Sequence, residues 1–123
     1  MKKVIALFIV VILFTTCKKN EIGGDCVIEG TVKHHTKVIT DATVFLKFKA
    51  IDQPSGDTTV YDAKVKVDAN GYFKFNVYKG KYFVYGYGHD YGIPAPFIVT
   101  GGQGVKMRSK ETTSLTLYVT EGD

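Results

Sequence analysis

Val67-Asp68-Ala69-Asn70-Gly71-Tyr72-Phe73-Lys74-Phe75 carries the fold decision. Asn70 and Gly71 both tolerate positive φ, and such a pair between alternating runs is the strongest short-range hairpin signal. Downstream, Phe73, Phe75 and Val77 alternate with Lys74 and Asn76; upstream, Tyr61, Ala63, Val65 and Val67 alternate with Asp62, Lys64 and Lys66. A period of two marks half-buried strands. The same period recurs where Val44, Leu46, Phe48 and Ala50 alternate with Phe45, Lys47 and Lys49, and where Leu115, Leu117 and Val119 alternate with Thr116 and Tyr118. Strands also fit residues 27 to 33, 82 to 88, and either 97 to 100 or 105 to 108. Turn chemistry separates them at Gln53-Pro54-Ser55-Gly56-Asp57, Lys79-Gly80 and Gly101-Gly102-Gln103-Gly104. No run after residue 17 offers three turns at helical spacing. Each alternating strand needs a second sheet for its apolar face, so the prediction is all-β: one antiparallel Greek-key β-sandwich of about seven strands over residues 26 to 123.

The N-terminus follows a different logic. Met1-Lys2-Lys3 is followed by eleven unbroken apolar residues from Val4 to Phe14, then Thr15-Thr16-Cys17. A basic start, an apolar block and a small polar exit form the three-part layout of an export signal. Eleven residues at ~1.5 Å rise cover only about half of a ~30 Å hydrocarbon core, too little for a spanning helix. Setting residues 1 to 16 aside leaves 107 residues and lowers the net charge from +4 to +2, because Lys2 and Lys3 leave with them. The overall basicity is thus partly an address. Residues 17 to 25, charged and carrying Gly23-Gly24, read as a flexible tether.

With Cys17 at the cleavage point, the segment resembles a bacterial lipoprotein signal, in the relaxed form found in Bacteroidota. That resemblance implies acylation of Cys17, membrane attachment through the lipid, and an outer-membrane location facing the periplasm or the cell surface. Thr16 stands where the commoner form of the signal has Gly, Ala or Ser. Lipidation of Cys17 would leave Cys26 as a lone thiol, so no intrachain disulfide and no Cys/His metal framework are expected. The domain itself resembles the carboxypeptidase regulatory-like, prealbumin-like (transthyretin-like) sandwich. The resemblance rests on Ile28-Glu29-Gly30-Thr31-Val32, Asp41-Ala42-Thr43-Val44-Phe45-Leu46, the stretch from Val67 to Phe75, Gly80-Lys81-Tyr82-Phe83-Val84 and Leu115-Thr116-Leu117. In this pattern Gly30 gives room against the facing sheet. The resemblance implies a fold and is nearly silent on function.

Chemistry is sparse. Ser55, Ser109 and Ser114 lack a nucleophile elbow, and no carboxylate pair sits in a hydrolytic motif, so a non-enzyme without cofactor is expected. Adjacent His34 and His35 point opposite ways on an extended chain and chelate poorly without a bend; a metal would need His89 or a carboxylate to converge on them, and none is expected. The lysines at 47, 49, 64, 66 and 74 solvate strand faces, and a domain at +2 is not expected to bind nucleic acid. One segment exceeds what solvation requires. In Gly80-Lys81-Tyr82-Phe83-Val84-Tyr85-Gly86-Tyr87-Gly88-His89-Asp90-Tyr91, if Tyr82, Val84 and Gly86 face the core, then Phe83, Tyr85 and Tyr87 share the opposite face. Either the 93 to 97 loop covers them, or they and Tyr91 form a contact surface. The absence of Trp favours a protein partner, with a glycan or metal held near His89 and Asp90 as the alternative and a plain structural spacer as a weaker one.

Overall fold

The computed structural model describes residues 18 to 54 and 57 to 121; Cys17 and the export segment lie outside them. Among the described residues the fold is all-β, with eight strands: β1 (Ile22–His34), β2 (Lys37–Val38), β3 (Thr43–Phe48), β4 (Ala63–Lys66), β5 (Tyr72–Val77), β6 (Gly80–His89), β7 (Ile98–Met107) and β8 (Thr112–Tyr118). A single 3₁₀ turn (Thr58–Val60) lies between β3 and β4. The first sheet is built on β1, which pairs antiparallel with β5, parallel with β8, and at its C-terminal end with β2. The second sheet runs β4-β3-β6-β7, antiparallel throughout.

The predicted alternation fills the space between the sheets. Ile28, Val32, Phe73, Val77 and Leu117 from the first sheet meet Val44, Leu46, Tyr82, Val84 and Val99 from the second, all at most 1% exposed. Cys26 is buried at the edge of this core, and its thiol donates to the Arg108 carbonyl at 2.9 Å.

Several local expectations are corrected. Asn70-Gly71 does form a tight turn: Gly71 N–H donates to the Asp68 carbonyl, Asp68 N–H to the Tyr72 carbonyl, and Gly71 takes φ +74°. The flanking strands do not pair, however; β4 joins the second sheet and β5 the first, so the turn carries the chain across the sandwich. The glycine run 101 to 104 is no turn but the middle of β7. A side chain at Gly101 would strike the Tyr118 carbonyl, and one at Gly102 the Phe83 ring. Likewise Gly30 makes room for the neighbouring β8 backbone at Leu115, not for the facing sheet. Strand β1 starts at Ile22, inside the segment read as a tether, because Tyr78 packs over Gly23 and Gly24 and Tyr78 N–H donates to the Glu21 carbonyl. The β1–β8 pair makes the sandwich mixed, not wholly antiparallel.

Candidate functional site

Strand β6 spans Gly80 to His89, past the expected 82 to 88 at both ends, and its outward positions carry the aromatic residues singled out above. They divide into two groups. Phe83 and Tyr85 are each 6% exposed. Their cover is the long β3–β4 connection. Tyr61 stacks on Tyr85 with centroids 5.4 Å apart and planes 16° from parallel, and Phe45 closes against both rings. The Ile51 backbone lies over Gly104, while the Phe83 ring occupies the space above Gly102. Tyr61 precedes β4 and turns to this outer face, where the alternation had placed it inward. The 93 to 97 loop is not the cover, and Phe83 and Tyr85 are withdrawn from the surface on which partner contact was expected.

The second group is open. Tyr87 is half-buried, His89 half-exposed, and Tyr91 is 69% exposed. Tyr87 meets His89 edge-on at 5.8 Å; His89 lies nearly parallel to Tyr91 at 6.0 Å and 15°; Tyr91 contacts Phe97 at 5.1 Å. The row is held from beneath. Asp41 accepts from the His89 backbone N–H at 2.9 Å and sits 3.1 Å from its Nδ1, which fixes the imidazole plane. Phe97 adopts φ +70°, a left-handed conformation that costs a non-glycine residue free energy; the Asp90 N–H···O=C Phe97 bond at 2.8 Å and the ring contact with Tyr91 hold it there. Tyr78, at the opposite end of the sandwich over Gly23 and Gly24, is no part of the row.

His89 and Asp90 separate because adjacent positions leave a strand on opposite faces. Asp90 turns inward and is buried. Its carboxylate accepts from Lys37 Nζ at 2.7 Å and Gly92 N–H at 2.9 Å, and lies 2.7 Å from Nδ1 of His34, itself buried at the end of β1. The lysine first, then the histidine and the backbone amide, hold the Asp90 carboxyl well below the usual carboxylate range. These groups close the open end of the core with every carboxylate oxygen satisfied. Sequence reasoning missed the pairing, since His34 and Asp90 are 56 residues apart and meet only because β1 and β6, in different sheets, finish at the same end of the sandwich. It also missed the bend between the histidines: His35 takes φ +57°, which brings the two rings to 4.5 Å.

No family model matches the chain, and no curated protein matches it in sequence. Solved structures do resemble it. A DUF3823 family protein from Parabacteroides merdae aligns over 80% of this chain at 16% identity and TM-score 0.50; the chain spans 47% of that protein's length. A proposed carbohydrate-binding protein from Pseudomonas aeruginosa aligns over 85% of this chain and 93% of its own, at 14% identity and TM-score 0.54. At such identities the likeness is one of fold, and both neighbours are bacterial.

Proposed function

We propose that this chain is a non-catalytic bacterial cell-envelope module, lipid-anchored through Cys17, that binds a glycan at the open end of its second sheet. The carrying observation is the Tyr91 ring, 69% exposed and supported by contacts with the rings of His89 and Phe97. A supported, solvent-facing ring offers an apolar platform to the C–H face of a sugar, and its hydroxyl and nearby polar groups offer hydrogen bonds. Asp41, half-exposed and already orienting His89, offers one such acceptor.

Burial of Phe83 and Tyr85 moves the balance away from a protein partner. A stable protein interface buries roughly 800 Å² per partner, whereas a single aromatic side chain supplies only about 150–250 Å². What remains open is Tyr91 and its partly exposed neighbours, a patch suited to one or two sugar rings. The role proposed for the Pseudomonas neighbour agrees, as fold-level analogy only. The envelope location and the prealbumin-like assignment rest on the sequence resemblances alone.

Thermal unfolding of the full chain in detergent, with a panel of soluble oligosaccharides, tests the binding. A true ligand at ~100-fold above its dissociation constant stabilises by about 2.7 kcal/mol. The stabilisation is expected to vanish in Tyr91→Ser. No response to any saccharide, or the same response in Tyr91→Ser, sinks the glycan reading. For the anchor, mass spectrometry of native protein and Cys17→Ala is expected to differ by the acyl mass; an unmodified Cys17 refutes it.

A further inference from the structure

The polar end of the core holds a second arrangement that glycan binding does not use. His34 lies with Nδ1 2.7 Å from the Asp90 carboxylate, which also accepts from Lys37 and Gly92. A carboxylate so engaged is an acceptor, so the His34 proton sits on Nδ1 and the lone pair of Nε2 points away from Asp90. Nε2 faces Glu121 Oε1 at 3.6 Å. Two acceptors face each other there at a separation too long for a hydrogen bond. Beside them stands His35, turned to the same side by its left-handed backbone when an extended chain would have sent it to the other face. The ligand atoms of His34, His35 and Glu121 all lie within 4.8 Å of one another.

We propose that His34, His35 and Glu121 form a binding site for a divalent transition-metal ion of the zinc class. Two imidazole nitrogens and a carboxylate oxygen are the donors such ions take, and two ligands ~2.1 Å from a tetrahedral centre stand ~3.4 Å apart, close to the observed His34–Glu121 spacing. His35 and Glu121 are exposed and free to close the last ångström, while His34 is the fixed member. Its Nδ1–Asp90 contact is the outer-shell arrangement by which proteins orient a metal-ligating histidine and raise its basicity. Three protein ligands leave one coordination position for water or another small oxygen ligand. The chain after β8 supplies the third ligand by crossing to the other sheet: Thr120 exchanges backbone hydrogen bonds with Thr100 of β7, which delivers Glu121 to the end of β1.

Isothermal titration of the untagged full chain in detergent with zinc chloride tests the site, with cobalt(II) absorption as a second probe of geometry. One equivalent is expected to bind. His35→Ala and Glu121→Gln, both on exposed residues, are each expected to weaken binding at least about tenfold, the lower bound for losing even an outer-shell partner. His89→Ala, which removes the imidazole of the proposed glycan row, is expected to leave zinc binding unchanged. Absence of stoichiometric uptake overturns the proposal. Uptake that survives the His35→Ala/Glu121→Gln double variant, or that is lost in His89→Ala, overturns it as well. Circular dichroism of each variant separates lost ligation from lost folding.

Discussion

Two halves of one strand face make the instructive contrast. Phe83 and Tyr85 at the start of β6 and Tyr87 with His89 at its end occupy equivalent outward positions, two residues apart each time. The first pair is buried under the β3–β4 connection, and the second pair leads to the open ring of Tyr91. The difference does not lie in β6. It lies in what its neighbours bring. On β7, Gly102 and Gly104 sit opposite Tyr85 and Phe83 and admit a ring and a backbone, whereas Thr100 and Ile98 sit opposite Tyr87 and His89. The covering groups, the Ile51 backbone and the Tyr61 ring, lie over the glycine half.

The largest expected effect breaks this contrast if it fails. Tyr85→Ala removes a buried ring from its stack with Tyr61 and is expected to cost about 3–5 kcal/mol in urea unfolding; Tyr91→Ala, exposed, is expected to change stability by no more than about 0.5 kcal/mol. Equal costs would mean that the cover is not formed in solution. Next in size, Gly102→Val places a branched side chain where the Phe83 ring lies and is expected to destabilise by about 1–3 kcal/mol. A near-neutral Gly102→Val would show that Phe83 packs elsewhere. Smaller still, Tyr61→Phe keeps the stack on Tyr85 and deletes a buried hydroxyl with no hydrogen-bond partner among the described residues, so stability is expected to hold or rise slightly. A clear loss on thermal unfolding would show that the hydroxyl is bonded.

The sandwich was legible in the sequence because period two, apolar on one side, survives in β1, β3, β4, β5 and β8. What stayed hidden was set by partners distant in sequence. Glycine at 101, 102 and 104 signals a turn when read locally, yet its cause is the approach of β8, Phe83 and Ile51. Asn70-Gly71 signals a hairpin and does form a turn, but nothing local says that its two arms join different sheets. The aromatic positions 83, 85, 87 and 91 were found from alternation, which assigns a face and says nothing of whether a loop lies over it. The His34–Asp90 pair and the approach of Glu121 depend on where β1, β6 and β8 end, which no short motif encodes.

The finest test uses the phenols as reporters of cover. Burial pushes the Tyr61 hydroxyl up to about 12, with the neighbouring Tyr85 adding to the rise. Tyr82, in the core beneath, is also pushed up to about 12, chiefly by burial. An unfolded tyrosine ionises near pH ~10, so both groups bind their proton more tightly when folded. Their contribution to stability is therefore complete below pH ~10 and is lost as pH rises through about 12. Ultraviolet difference titration is expected to show late-ionising phenols in the native protein, Tyr61 and Tyr82 among them, and the Tyr61 step is expected to disappear in Tyr61→Phe. If segment 49 to 62 opened readily, Tyr61 would instead ionise near pH ~10 while Tyr82 stayed late. That outcome would turn the covered half of β6 into a second open surface and restore Phe83 and Tyr85 as contact residues.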